Sequence, residues 1–243
     1  MYKKNVYTVK ENVKIAESTY KMVLEGDMQY LTTPGQFVNL QIDGLYLRRP
    51  ISVCEWDDKT MTLIYKVVGT GTQRMAEMPI GTEIDMLTGL GNGFNTSETN
   101  GKIAVIGGGV GVPPLYALVE KLVQEKKDVF VVLGFNSKEQ LFYQKEFEAL
   151  GVPVYVATVD GSVGTKGFVT DVLAKESYDY YFTCGPEAML KAVYAQGKEG
   201  QLSFEERMGC GFGACMGCSC KTITGYKRIC VEGPVMKSSE VIL

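Results

Sequence analysis

Lys102-Ile103-Ala104-Val105-Ile106-Gly107-Gly108-Gly109-Val110-Gly111-Val112-Pro113-Pro114 is an apolar run closed by glycines and prolines. A short run of this kind predicts a buried strand, and the glycines a tight turn out of it. Apolar residues then recur at Leu115, Leu118, Val119, Leu122 and Val123. That i, i+3, i+4, i+7, i+8 spacing predicts a helix with one buried face. Strand-like runs follow at Asp128–Leu133, Pro153–Ala157 and Tyr180–Thr183, with helical stretches around Leu141–Leu150 and Glu187–Ala195. Strands alternating with helices predict a parallel sheet covered on both faces.

Upstream the pattern is different. Phe37–Ile42 and Thr60–Val68 alternate apolar and polar residues at period two, and turns are marked by Thr33-Pro34-Gly35, Asp57-Asp58 and Pro79-Ile80-Gly81. No stretch of ten residues reads as a helix, so a small antiparallel barrel or sandwich is expected. The character changes near Asn100-Gly101-Lys102. The expected organisation is an N-terminal antiparallel β-barrel over 1–98, an α/β parallel-sheet nucleotide-binding domain over 99–201, and a small segment over 202–243. That last segment is too short to bury a core of its own and needs another organiser, such as a metal cluster.

Of seven cysteines in 243 residues, five fall between Cys210 and Cys230. Such crowding points to metal or redox chemistry rather than disulfide staples. Cys210, Cys215 and Cys218 follow the C-x4-C-x2-C spacing of plant-type [2Fe-2S] proteins, with Cys230 as the fourth thiolate. Gly209, Gly211, Gly213 and Gly217 would permit a partly left-handed loop whose N–H groups face the sulfurs. The competing reading is a structural zinc on the same thiolates, although zinc ribbons usually carry two C-x2-C knuckles. Cys220 reads as a spare. Arg207, Lys221, Lys227 and Arg228 surround the ligands in sequence and predict a potential above the ~−400 mV of plant-type ferredoxins.

The glycine loop is positioned to meet a pyrophosphate at a helix start, yet Gly109-x-Gly111-x-x-Pro114 departs from the dinucleotide fingerprint. No acidic residue ends the next strand, at Gly134-Phe135-Asn136. A plain strand–helix turn explains the loop nearly as well. Cys184, before Gly185-Pro186, could be a core thiol or face a ligand at a strand end.

Histidine is absent, which removes Ser–His and Cys–His hydrolytic pairs and histidine metal sites. A net charge of −3 leaves no basic footprint for nucleic acid. No apolar run approaches the ~20 residues of a membrane span, and Met1–Lys10 lacks a signal-peptide core, so a cytoplasmic location is expected.

With Arg49-Pro50-Ile51-Ser52, Gly107–Pro114 and Cys184-Gly185-Pro186-Glu187-Ala188-Met189 in view, the chain resembles the ferredoxin–NADP reductase superfamily over nearly its whole length. Arg48–Ser52, Gly89–Phe94, Glu205–Cys210 and Glu232-Gly233-Pro234-Val235 further resemble the electron-transfer subunits of type B dihydroorotate dehydrogenase. The resemblance implies an FAD lined by Arg49, Pro50, Ile51 and Ser52, with Arg49 on its pyrophosphate. It implies that Ile64, Tyr65 and Lys66 flank the flavin or its adenosine diphosphate and that Gly71 and Thr72 meet the phosphates. NAD(H) would lie by Gly107, Gly109, Gly111 and Cys184, and a [2Fe-2S] cluster on Cys210, Cys215, Cys218 and Cys230. The implied partner is an FMN-containing dihydroorotate dehydrogenase catalytic subunit, in a heterotetramer of two copies of each chain. A partner face is expected at the Met216 loop and the tail from Val235 onward. Ferredoxin:NADP oxidoreductase and sulfide dehydrogenase subunits share this layout. Some of them carry aspartate at a cluster position, whereas all four here are cysteine. Ser137-Lys138 could meet a 2′-phosphate, which leaves NADPH open beside NADH.

Overall fold

The computed structural model describes residues 2–99 and 101–243; Met1 and Asn100, where the change of character was placed, lie outside them. Six strands, β1 (Lys3–Ala16), β2 (Thr19–Glu25), β3 (Phe37–Leu40), β4 (Arg49–Trp56), β5 (Thr60–Lys66) and β6 (Glu83–Leu90), close a barrel in the order β1-β2-β5-β4-β3-β6. Every neighbouring pair is antiparallel. Closure removes the free edges that a small sheet would expose. Val38, Leu40, Leu63 and Met86 fill its interior.

The expected alternation in β3 and β5 is not matched by a solvated outer face. All four residues of β3 are buried, as are the five central residues of β5. The outer side of each is covered by the rest of the chain. Phe37 packs with Cys218, Ile229 and Leu202, and Ile64 with Val112 and Leu115. A seven-residue helix, α1 (Thr70–Ala76), follows β5.

The α/β unit runs β7 (Ile103–Gly108), α2 (Tyr116–Gln124), β8 (Val129–Phe135), α3 (Gln144–Ala149), β9 (Val154–Thr158), β10 (Thr165–Lys166), α4 (Val169–Leu173), β11 (Tyr180–Cys184), α5 (Glu187–Tyr194) and β12 (Glu199–Ser203). Alternate residues of one strand serve opposite faces. Val105 and Val131 pack with α2 and Phe147, while Ile106 and Val132 pack with Val172, Leu190 and Val193. Leu118, Val119 and Leu122 are fully buried, as their spacing predicts. Two helices start later than expected. The glycine loop passes through 3-10 turns at Gly109–Gly111 and Pro113–Leu115 before α2 begins. Leu141–Tyr143 stay outside α3 because Tyr143 takes a left-handed conformation, φ 63°.

The last segment adds a hairpin of β13 (Ser219–Thr222) and β14 (Gly225–Arg228), then β15 (Val235–Lys237). The sheet order is β10-β9-β8-β7-β11-β12-β15, parallel except for β15, which runs antiparallel to β12 and covers its edge. This segment therefore does bury side chains, against the barrel and the sheet: Ile229, Met236 and Val241 join Leu87, Leu90 and Leu202, and Val235 joins Phe94, Tyr180 and Phe182. Within the tail Val235 and Met236 are 4% and 2% exposed, whereas Ile242 is 56% exposed. No helix among the described residues is long and apolar enough to cross a membrane.

Barrel and sheet meet through β4 and α2. Tyr143 Oη donates to Glu55 Oε1 at 3.2 Å, and Cys54 is fully buried there. Burial, with the Glu55 carboxylate second, raises the Glu120 carboxyl above 4.5. A carboxyl that keeps its proton to higher pH when folded favours folding below its ordinary value. That contribution is lost as pH rises through the folded value. Glu120→Gln removes it, so the stability of the variant relative to the parent should grow from acid to neutral pH. Denaturant midpoints across that range check this, and a constant difference would refute it.

Candidate functional site

Arg49 opens β4, and its Nη1 donates to the Leu47 carbonyl at 2.5 Å. Gly71 faces this guanidinium so closely that a Cβ there would overlap Arg49 Nε and stand 2.7 Å from Cζ. Pro50, Ile51 and Ser52 continue β4, half-buried, opposite Asn39, Val38 and Phe37 of β3. Tyr46, three residues before Arg49 in the chain, and Val68, three before Gly71, are 98% and 80% exposed. A fixed cation with exposed apolar side chains close by in the chain complements a dinucleotide with ring and phosphate parts, and the FAD fits it.

The other barrel candidates differ in what they can offer. The Tyr65 side chain lies in the barrel core, where its hydroxyl donates to Asn12 Oδ1 at 3.0 Å, and Ile64 is 3% exposed. Both can meet a ligand through main chain alone. The Thr72 hydroxyl donates to the Gly69 carbonyl at 3.1 Å and accepts from Val68 N at 3.0 Å, so it closes the start of α1. Lys66 instead lines the large cavity of the α/β unit.

That cavity, about 670 Å³, opens where the strand order reverses between β7 and β11. Ligands of open parallel sheets collect at such a crevice, at the carboxyl ends of the strands, and the volume suits a dinucleotide half. The two glycine motifs meet there. Gly185 stands against Gly108, whose N would be 3.1 Å from a Cβ at 185. A Cβ on Gly111 would overlap the Cys184 carbonyl carbon and oxygen. Gly109, at φ +53°, has open space at its Cβ position and faces the cavity. Gly107 does not line it; that residue is bare so that Val112 and Leu115 can pack. Since β11 is fixed between β7 and β12, Gly111→Ala should destabilise the fold by about 2–3 kcal/mol. Chemical denaturation measures this, and an unchanged midpoint would contradict it.

Cys184 is 2% exposed and outside the cavity wall. Burial, then the Glu205 carboxylate, pushes its thiol up to about 12, so it stays neutral. Glu205 lines the cavity, and burial raises its carboxyl. Sequence reading did not assign Glu205, Gly108, Asn136 or Gln140 to the wall; Gly108 and Glu205 lie inside stretches it singled out, and only the fold shows which of their residues reach the cavity.

The four cysteines stand in two pairs. Cys218 Sγ lies 3.2 Å from Cys230 Sγ, both buried. Cys210 Sγ accepts from Ala214 N at 3.2 Å and from Cys215 N at 3.4 Å, which holds it beside Cys215. Burial pushes the Cys210 thiol up, but the main-chain N–H groups of Cys215, Phe212 and Ala214 outweigh it and bring it below 9.0. Burial and the neighbouring Cys218 push Cys230 up. Gly211 and Gly213 are left-handed as expected, at φ 79° and 92°, but the third left-handed residue is Met216 rather than Gly209 or Gly217. Among the described residues no three His, Cys, Asp or Glu side chains gather about one point. One tetrahedral ion needs four sulfurs about a single centre, whereas a two-iron cluster takes two thiolates on each iron. The paired thiols fit the second.

Cys220 stands outside both pairs, on β13 opposite Lys227. Two of the four cations expected to raise a cluster potential are compensated: Lys227 pairs with Glu240 at 3.2 Å, and Arg228 Nε donates to Glu232 at 3.0 Å. Asn39 Nδ2 donates to the Cys210 carbonyl at 3.2 Å, and Gly211 packs on the same amide. Through this contact the barrel holds the thiol loop.

Residues 205–242 match the family model for the iron–sulfur cluster binding domain of dihydroorotate dehydrogenase B, and residues 105–195 that for the oxidoreductase NAD-binding domain. The chain is 48% identical to the dihydroorotate dehydrogenase B (NAD(+)) electron transfer subunit of Fusobacterium nucleatum, over 96% of each chain. It is 45% identical to the protein of the same name in a Geobacillus species, over all of both chains. Among solved structures, an NADH-dependent reduced ferredoxin-NADP oxidoreductase superposes with TM-score 0.89 at 29% identity, covering 97% of this chain and 89% of the other. A Neisseria gonorrhoeae ferredoxin NADP+ reductase with bound FAD and NADP has the same fold, with TM-score 0.67 at 18% identity over 79% of this chain and 89% of its own.

Proposed function

The chain belongs to the family of electron-transfer subunits of NAD-linked dihydroorotate dehydrogenase B, and on that premise we propose that it carries electrons between a catalytic subunit and NAD through FAD and a [2Fe-2S] cluster. The partner in this reading is an FMN-containing subunit that oxidises dihydroorotate for pyrimidine synthesis, assembled as two copies of each chain in the cytoplasm. The FAD unit spans 1–98, the NAD unit 99–201 and the cluster segment 202–243, with β12 and β15 joining the last two in one sheet.

The observation that carries the reading is the contact between sites. Asn39 is the register partner of Pro50, next to Arg49, and its side chain bonds the Cys210 carbonyl. The flavin groove and the thiol loop are thus separated by the width of one strand pair. A flavin takes electrons in pairs from a nicotinamide and releases them singly to a cluster, which is the chemistry the pairing of these sites requires. Arg49 would hold the pyrophosphate through its planar fork. Gly109 and Gly111 would bring main chain to the nicotinamide dinucleotide, while Cys184 packs behind them as a neutral thiol. Cys210, Cys215, Cys218 and Cys230 would ligate the irons, with the N–H groups of Ala214 and Cys215 supporting thiolate charge at Cys210. Phe212, Met216, Ile223 and Tyr226, 39–74% exposed, provide apolar surface near the cluster for the partner.

Anaerobic purification, alone and with the catalytic subunit, tests this. Flavin absorbance, two irons per chain, bleaching by NADH, and NAD-linked dihydroorotate oxidation confined to the complex are the expected results. A colourless zinc protein would overturn them.

A further inference from the structure

Resting on that reading, the step from flavin to cluster depends on how the four thiols are held against the barrel. The two pairs are held differently. Cys218 and Cys230 are 2% exposed and belong to the same buried core as Phe37, Leu87 and Leu90 of the barrel. Close packing of that kind fixes position without any directed bond. Cys215 is exposed and Cys210 half-buried, so their pair lacks this support.

Directed bonds hold the Cys210–Cys215 loop instead. Arg228 Nη1 donates to the Gly213 carbonyl at 2.9 Å, a bond made within the cluster segment. From the barrel, Asn39 Nδ2 donates to the Cys210 carbonyl at 3.2 Å. No other side-chain hydrogen bond joins barrel and loop among the described residues; the Tyr2 ring, 5.4 Å from that of Phe212, adds a contact without direction. Gly211 makes room for the amide, since its φ is +79° and a Cβ there would overlap Asn39 Nδ2.

The Asn39 carboxamide serves no other contact among the described residues. It is 1% exposed, its Oδ1 has no hydrogen-bond partner, and its Nδ2 has only the Cys210 carbonyl. A carbonyl needs a donor, which fixes the end of the amide that faces it. Burying a half-satisfied amide costs free energy that an apolar side chain of similar size would not. Barrel stability alone would therefore favour leucine here, and the carboxamide is explained by what it does for the loop. Its register partner on β4 is Pro50, between Arg49 and Ile51 of the flavin groove. One side chain thus links the strand pair of the groove to the main chain of a cluster ligand.

We propose that Asn39 is a positioning residue for electron transfer between flavin and cluster: its Nδ2–H fixes the Cys210–Cys215 half of the cluster site against the barrel strands that line the flavin groove. It acts through the Cys210 main chain and leaves the hydride step from NADH untouched. The plainer alternative, a polar residue that stabilises the barrel, makes different predictions for the same variants.

The test uses the complex with its catalytic subunit, prepared anaerobically. Stopped-flow absorbance after mixing with NADH separates flavin bleaching from the cluster reduction that follows. Electron paramagnetic resonance at controlled potential gives the cluster potential, and a ferrous chelator reads iron release. In Asn39→Leu, which keeps the size and removes the donor, flavin content and bleaching rate should match the parent. Cluster reduction should slow, and iron release quicken, by about tenfold or more, as expected when a group that orients a metal ligand is lost. The cluster potential should fall, because a loosened loop no longer aims the Ala214 and Cys215 N–H groups at Cys210 Sγ. Asn39→Ala, which also lacks the donor and adds no bulk, should behave alike. Parent-like cluster reduction, potential and iron release in both variants, with flavin intact, would overturn the assignment while leaving the electron-transfer function standing. Loss of flavin together with iron in both would mark Asn39 as a barrel-stabilising residue and overturn it equally. A parent complex whose cluster stays oxidised after NADH bleaches its flavin would refute that function and this inference together.

Discussion

Cys218→Ser should yield a protein that still accepts electrons from NADH and no longer delivers them. Cys218 is buried 3.2 Å from Cys230 and forms one half of the thiol arrangement with it. A serine hydroxyl stays protonated at neutral pH and is a poor substitute for a soft thiolate. Iron should fall from two per chain to near none, and dihydroorotate-to-NAD turnover of the complex by more than about a hundredfold. Flavin content and bleaching by NADH should persist, because the groove at Arg49 and the cavity at Gly109 lie on other elements. The cluster segment itself should stay docked through Ile229, Met236 and Val241, packed with Leu87, Leu90 and Leu202, and through Val235. Cys220→Ser is the matched comparison and should keep its iron. Retention of two irons in Cys218→Ser, or their loss in Cys220→Ser, would show that the pairing is misassigned.

Gly71→Ala should separate flavin binding from fold stability. The added methyl overlaps Arg49 Nε, and Arg49 already donates to the Leu47 carbonyl, so the guanidinium must leave its position. Loss of a charge-assisted contact to a phosphate of this kind weakens FAD binding by about 10–100-fold. The backbone at Gly71 is helical and favours alanine by up to ~1 kcal/mol, so the FAD-free chain should be no less stable than the parent. Flavin titration of the apoprotein and its thermal melt give the two numbers independently. Parent-like FAD affinity in the variant would argue that Arg49 does not hold the cofactor.

The readable parts of this protein were those whose signal is local. Leu118, Val119 and Leu122 announce the buried face of α2 because helical spacing alone sets which side chains share a face. The C-x4-C-x2-C spacing identifies a thiolate loop because a cluster fixes how much chain must separate its ligands. At other positions something distant in the chain decides what the side chain touches. The polar position Asn39 of the alternating run Phe37–Ile42 is 1% exposed under the thiol loop. Val235 and Met236 were expected on a partner face, and they complete a sheet edge instead. Tyr65 was placed beside a cofactor, and its side chain serves the barrel core.

By itself the sequence determined the barrel-then-alternating order, the glycine loop, the cysteine spacing and the family resemblance, since period, turn chemistry and spacing act over a few residues. Tertiary structure alone decided that Gly111 lies under the Cys184 carbonyl, that Cys218 pairs with Cys230, and that Asn39 reaches Cys210 across 171 positions. Each of these depends on which strand ends the topology brings together, and packing between segments far apart in the chain leaves no periodic trace in either one.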